Sequence, residues 1–221
     1  MKNWPILFLL AVSVLGETPN DLVDIQKLNP DIQVSLVYSS EENFLGADVY
    51  GDLERCFLRK EVAEMLSSAQ DLLQKERNGF RLLVFDGLRP LDVQRRMWDL
   101  VKGTDKQKYV ADPKTGSIHN YGAAVDLTIV DSSGTPLDMG TPFDFFGELA
   151  QPRFEQKLLS EGMLTQEQLE NRLLLRNVMQ EAGFKGISVE WWHFDAFPKE
   201  KVRKRFTIVD SLGSLVGGKT E

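Results

Sequence analysis

The stretch Ser117–Val130, SIHNYGAAVDLTIV, places one of only two histidines, His119, seven residues ahead of an aspartate set in an apolar, β-branched run. Strand periodicity through AAVDLTIV puts Ala124, Asp126 and Thr128 on one face and Ala123, Val125, Leu127 and Ile129 on the other. A buried strand is expected, with a carboxylate near its centre. Leaving that carboxylate ionised and alone costs on the order of several kcal/mol, so Asp126 needs a cationic or metal partner. His119 lies on the loop entering the strand, and Gly122 gives the backbone freedom to fold back toward Asp126. Histidine and aspartate together are a reasonable pair of zinc ligands.

The flanking segments supply the rest of the architecture. Upstream, DIQVSLVY alternates Ile32, Val34, Leu36 and Tyr38 on one face, the signal of a half-buried strand. LRKEVAEMLSSAQDLLQKERNG sets Val62, Met65, Leu66, Ala69, Leu72 and Leu73 at helical spacing, with Gly79 as the stop. RLLVFDG follows as a strand, and RPLDVQRRMWDLVKG as a helix through Val93, Met97, Leu100 and Val101. The polar TDKQKYVADPKTGS reads as a loop, and downstream DSSGTPLDMGTPF is dense in turn formers. Thr165 and Gln168 fit a capping box opening a long helix whose face is Leu169, Leu173, Val178 and Met179, up to Gly183. ISVEWWHF reads as a last strand. Strands and helices mix without regular alternation, which predicts an α+β fold: a single domain with a mainly antiparallel central sheet, flanking helices and the candidate metal site on the sheet.

With 221 residues, 42% apolar and 27% charged, the chain suits one globular domain with its own core. A net charge of -7 offers no basic face for nucleic acid. The one basic cluster, Lys199 to Arg205, is interrupted by Glu200 and reads as a solvated surface segment. Cys56 is the single cysteine, so it cannot close an intrachain disulfide and is expected to be a small buried residue. At the start, MKNWPILFLLAVSVLGETPN outlines an export signal: Lys2 gives a positive start, Ile6 to Leu15 is apolar and Val14-Leu15-Gly16 precedes the polar ETPN, while the run is too short for the roughly 20 residues of a spanning anchor. Residues 1–16 are thus expected to be a cleaved signal, with 17–221 as the mature domain in a periplasmic or secreted setting, the alternative being a cytoplasmic one in which that segment is not a signal.

The second histidine, His193, falls in VEWWHF with Glu190 three residues earlier. A catalytic zinc takes three protein ligands and keeps one position open for water, and a nearby carboxylate serves as general base. His119, Asp126 and His193 meet the ligand count, and Glu190 the base. A regular strand would place Glu190 and His193 on opposite faces, so the chain must bend there or the base must approach from another side. Taken singly, Asp126 fits an ordinary salt bridge and His193 a packed core histidine. Both histidines, however, lie in short Gly- or Trp-rich segments, each with a carboxylate close by.

SIHNYGAAVD fits Ser-x-His-x-x-Gly-x-Ala-x-Asp, and EWWHF fits Glu-x-x-His, patterns of the VanX-type D-alanyl-D-alanine dipeptidases, a family of zinc peptidases related to the bacterial D,D-carboxypeptidases. The chain resembles that family also in VYSSEENFLG, DGLRP and LDMGTPFD, in the same order, over roughly residues 22–197. The resemblance implies one zinc ion per chain, held by His119, Asp126 and His193, with Glu190 as catalytic base. It also implies that Arg89 stabilises the transition state and that Tyr38, Ser117 and Asp144 lie near the dipeptide. Phe194 departs from the family, where an aromatic with a hydroxyl is common, and affects packing more than chemistry. On spacing alone Arg89 fits an ion pair with Asp86 or Asp92, and Asp144 a turn in TPFDFF.

A free dipeptide carries an ammonium and a carboxylate, and Asp144 is placed by resemblance to meet the ammonium. Trp191, Trp192, Phe143 and Phe145 are expected to close the pocket against longer peptides. The resulting expectation is zinc-dependent hydrolysis of D-Ala-D-Ala, a small dipeptide substrate, with no nucleic-acid partner and no membrane span. Two alternatives stand beside it: a related zinc D,D-carboxypeptidase or endopeptidase acting on peptidoglycan peptides, and a non-enzymatic zinc-binding module. A purely structural zinc site has no use for a general base or an open coordination position, which argues against the last.

Overall fold

The computed structural model of the chain describes residues 21–51 and 53–211, so the stretch 1–16 read as an export signal lies outside the described residues. The fold is built on Ala124–Val130, here β5, in which all seven residues are buried. It sits at the middle of a five-stranded sheet of order β2-β4-β5-β7-β6, with β2 Gln33–Val34, β4 Arg81–Asp86, β6 Lys185–Gly186 and β7 His193–Asp195. Only the β2–β4 pair is parallel; β4–β5, β5–β7 and β6–β7 run antiparallel. A separate antiparallel ribbon pairs β1, Leu22–Asp24, with β3, Phe57–Arg59. The expected α+β class with a mainly antiparallel sheet is what the chain forms.

Helices α2, Lys60–Glu76, and α5, Gln166–Glu181, pack on each other, and α2 also packs on β4. On α2 the buried residues Val62, Leu66, Ala69 and Leu73 recur at spacings of four, three and four, the stripe that made the segment legible as a helix. Leu66, Leu73, Leu82, Leu127 and Leu175 are fully buried together in one cluster, each removal from water contributing about 1.5–3 kcal/mol. The capping box at the start of α5 forms as expected: Gln168 N–H donates to Thr165 Oγ1 at 3.1 Å and Thr165 N–H to Gln168 Oε1 at 2.9 Å. Helix α3 spans Leu91–Val101 and buries Val93, Met97 and Val101, whereas Leu100 is 48% exposed and lies off that face. Short helices α1, Ile25–Leu28, α4, Glu155–Ser160, and α6, Lys199–Arg205, complete the set.

Two expected strands are shorter in the structure. The pairing of DIQVSLVY stops at Val34, and Val37–Ser39 winds into a 3₁₀ turn. The Tyr38 carbonyl there accepts the N–H groups of both Val49 and Tyr50, so a returning loop takes the place of a neighbouring strand. In ISVEWWHF only His193 onward is strand, and the chain bends at residues 188–189 and 191–192. Trp191 and Trp192 are both buried and stand edge-on at 87°, so neither occupies the alternating outward position a strand would give it. That bend removes the parity problem between Glu190 and His193. Among the described residues, no helix is long and apolar enough to cross a membrane.

Candidate active site

Sheet register brings the first two candidate ligands together. Asp126 on β5 stands directly opposite His193 on β7, and the carboxylate Oδ1 lies 2.8 Å from His193 Nδ1. The third comes from the turn that feeds β5, a 3₁₀ segment Ile118–Tyr121. Ser117 caps that turn, and Ser117 N–H donates to Asn120 Oδ1 at 2.6 Å. Gly122 ends it at φ 69°, and a Cβ there would lie 3.3 Å from the Arg59 backbone nitrogen and 3.2 Å from Leu22. The left-handed backbone favours glycine there, as the reading of Gly122 anticipated, and the close approach of the Arg59 backbone adds to that preference.

His119 Nε2 then lies 3.2 Å from His193 Nδ1 and 3.5 Å from Asp126 Oδ2. Ligands 2.0–2.1 Å from one tetrahedral zinc ion would stand about 3.3 Å apart, so these separations suit a single small divalent ion. The other ring nitrogens are committed. His119 Nδ1 donates to the Gly87 carbonyl at 2.8 Å, which turns Nε2 toward Asp126 and His193. His193 Nε2 is 3.0 Å from Asp195 Oδ1, which leaves Nδ1 to face Asp126 and His119. Oriented imidazoles of this kind are what a metal centre needs.

The site is electrostatically tight. Burial would raise the Asp126 carboxyl, but the charge and hydrogen bond of His119, with those of His193, outweigh it and hold Asp126 well below the usual carboxylate range. Burial works against a charged His193, yet hydrogen bonds to Asp126 and Asp195 push it up to about 10. Each histidine proton held this way is one that an incoming cation displaces.

Arg89 enters from the turn after β4. A register shift between Val84 and Asp86 gives β4 two residues where β5 has one, and this bulge sets Asp86 opposite Asp126. Asp86 is completely buried and ion-paired with Arg89, accepting from Nε at 3.0 Å and also from Nη2. Its other oxygen accepts the Tyr50 hydroxyl at 2.5 Å. Gln94 Oε1 accepts from Arg89 Nη1 at 3.2 Å, and Asn120 Nδ2 donates to the Arg89 carbonyl at 2.7 Å. Of the two pairings open to Arg89 on spacing, Asp86 is the one made, and the guanidinium still reaches the cavity.

A cavity of about 220 Å³ gathers every candidate residue: Tyr38, Arg89, Ser117, His119, Asp126, Asp144, Glu190 and His193 all line it. Asp144 has φ 60°, the left-handed region, and no other non-glycine among the described residues does. Its carboxylate accepts the Tyr38 hydroxyl at 2.9 Å and makes no ion pair among the described residues. Burial, reinforced by the negative charge of Asp126 and Glu190, raises the Asp144 carboxyl well above its usual range despite the Tyr38 bond. Burial likewise raises Glu190, partly offset by the charge of His193.

The aromatic wall differs from expectation. Trp192 lines the cavity, but its aromatic neighbours there are Phe44, Tyr109 and Phe146. Tyr109 stacks on Phe146 at 3.9 Å between ring centroids, and Phe44 meets Phe146 edge-on at 4.9 Å. Phe143 stands behind, packed on Trp192 and Phe85; Trp191 turns away to donate to Thr141, and Phe145 is 40% exposed. Residues in a loop have no fixed period, so choosing among four neighbouring aromatics from sequence had no physical basis. Tyr50, Gln94, Asn120 and Asp195 were also not singled out. Only Asn120, at the third position of a Ser-x-x-Asn cap, and Asp195, two residues past His193 on one strand face, left a sequence signal.

Two oriented imidazoles and a carboxylate facing one point, with a buried carboxyl and a fixed guanidinium in the same small cavity, define a metallohydrolase centre. Residues 18–211 match the peptidase family Peptidase_M15, described as D-ala-D-ala dipeptidase, and the chain belongs to that family of metallopeptidases. Among curated relatives, a D-alanyl-D-alanine dipeptidase of Escherichia coli strain K12 is 34% identical over 79% of this chain and 84% of its own length. Those of Synechocystis and Enterococcus faecium are 29% and 30% identical, covering 68% and 71% of this chain and 72% and 82% of theirs. Among solved structures, the LdcB LD-carboxypeptidase aligns over 85% of this chain and 73% of that one, with TM-score 0.47 and 24% identity.

Proposed function

We propose that the chain is a zinc-dependent dipeptidase that hydrolyses D-Ala-D-Ala to free D-alanine. The observation that carries the reading is the size and polarity of the one cavity that holds the candidate ligands. At about 220 Å³ it falls below the roughly 300–1,000 Å³ usual for drug-sized ligands, and Phe44, Tyr109 and Phe146 line it as an aromatic wall that, on this reading, excludes longer peptides. His119, Asp126 and His193 would hold one ion per chain; when bound, such an ion supplies Lewis acidity, polarising the scissile carbonyl and lowering the pKa of water.

The chain's own groups account for the rest of the reaction. Glu190, its carboxyl raised by burial, takes the proton of the attacking water and delivers it to the leaving amine. Arg89, pinned by Asp86 and Gln94, offsets the negative charge that develops on the carbonyl oxygen; such a donor contributes about 10²–10³ in turnover. Asp144 receives the substrate ammonium, a cation that stabilises its ionised form, while Tyr38 holds the carboxylate in place and Ser117 sits on the adjoining wall.

The same reading assigns residues 17–221 to the dipeptidase domain and 1–16 to an export signal, with action on wall-derived dipeptide outside the cytoplasm. The test is release of D-alanine from D-Ala-D-Ala by zinc-loaded protein, beside L-Ala-L-Ala, a wall-like pentapeptide and Glu190→Ala. Cleavage of the D,D-dipeptide alone, lost in the variant, is the expected result. Cleavage of the pentapeptide in its place would transfer the assignment to a D,D-carboxypeptidase.

A further inference from the structure

The basic segment Lys199–Arg205 is not simply a solvated face. It forms α6, and two of its cations, Lys199 and Arg203, line the active-site cavity. Their separation of four residues puts both on one side of the helix. Both are exposed, and Lys199 makes no hydrogen bond or ion pair among the described residues. Arg203 donates from Nη2 to the Thr115 carbonyl at 3.3 Å, next to Gly116 and Ser117, which line the same wall.

The cavity also contains four carboxylates, Asp126, Asp144, Glu190 and Asp195. Asp126 and Asp195 are engaged by His193, and the one other lining cation, Arg89, is engaged by Asp86. Lys199 and Arg203 are therefore the lining cations that face the cavity without a carboxylate partner. They stand on the wall made by α6 and residues 115–117, whereas Asp144 stands with Tyr38, Phe44 and Phe146. Such a division of charge suits a zwitterion laid across the metal ligands.

We propose that Lys199 and Arg203 read the free C-terminal carboxylate of the substrate and so set its selectivity for unblocked peptides. The inference rests on the dipeptidase reading and adds two specificity residues to it. Neither touches the reacting atoms, so their loss acts on binding and leaves the chemical step intact.

The experiment compares D-Ala-D-Ala with its C-terminal amide, using zinc-loaded full-length protein. In the Lys199→Ala/Arg203→Ala variant, KM for the free acid should rise about 5- to 10-fold, the scale of two exposed charge contacts, with kcat retained and KM for the amide unchanged. Lys199→Arg should retain most of the affinity that Lys199→Ala loses. Lys204→Ala, which removes the same charge from the same helix away from the cavity, should match wild type. Equal shifts for acid and amide, or no shift for either, overturn the assignment. Wild-type protein that turns over neither peptide overturns the dipeptidase reading itself, and the assignment with it.

Discussion

Replacing Asp86 by asparagine tests whether Arg89 is held by charge or only by shape. Asp86 is wholly buried and receives two donors from Arg89 and one from Tyr50, and Arg89 itself is only 8% exposed. The asparagine is nearly isosteric but neutral, so it leaves a buried guanidinium uncompensated. Breaking a buried pair in this way costs about 3–5 kcal/mol. For a domain of this size each kcal/mol lowers Tm by about 2–4 °C, which predicts a fall of about 6–20 °C. Turnover should fall as well, because a neutral amide oxygen in place of the carboxylate oxygen that takes both Arg89 donors aims the guanidinium by weaker bonds. The companion variant Asp86→Asn/Arg89→Met removes both charges and should recover a substantial part of the lost stability while recovering no activity. Thermal unfolding of the two variants and wild type, with D-alanine release measured on each, provides the assay. A fall of under 2 °C in the single variant, or a double variant less stable than the single one, would refute the reasoning.

The buried carboxyl of Glu190 has consequences for both activity and stability. Glu190→Gln should lower kcat by about 10²–10⁴. Because the folded-state pKa of Glu190 is raised, its contribution to stability is present below the unfolded value near 4.5 and lost as pH rises through the folded value. Chelated Glu190→Gln protein should accordingly melt above chelated wild type at pH 7, and the gap should close below about pH 4.5. A gap that is constant across that range would show that burial does not govern this carboxyl. Gly122→Ala forces a side chain into the left-handed region against the Arg59 backbone, so it should cost at least about 1–2 kcal/mol in urea unfolding and weaken zinc binding through His119. Unchanged stability in that variant would mean that the turn carrying His119 relaxes freely.

Much of this was legible in the sequence because it depends on local periodicity. The stripe on α2 and the Thr165–Gln168 box are properties of consecutive residues, and they fix where helices begin and what they bury. Asp126 was legible for a different reason: a carboxylate in a buried strand is expensive, so its presence demanded a partner. The ligand set followed from the scarcity of histidine.

What was not legible depends on register and loop packing. Asp86 joins the site because one bulged residue of β4 turns its side chain toward Asp126, and a bulge leaves no periodic trace. Leu100 continues the apolar spacing of α3 yet is 48% exposed among the described residues, because it lies off the face that Val93, Met97 and Val101 bury. The cavity wall is Phe146 and not Phe145, a difference of one residue in a loop whose backbone turns left-handed at Asp144. The basic stretch at α6 read as a solvated surface because sequence spacing does not show that residues 115–121 fold against it.

The most direct test of the central claim is a zinc titration of the metal-free protein, reading D-alanine release from D-Ala-D-Ala at each step. The account predicts no activity at the start and a linear rise that breaks at one zinc per chain. Full activity in thoroughly chelated protein, or a titration that saturates away from one equivalent, would contradict it.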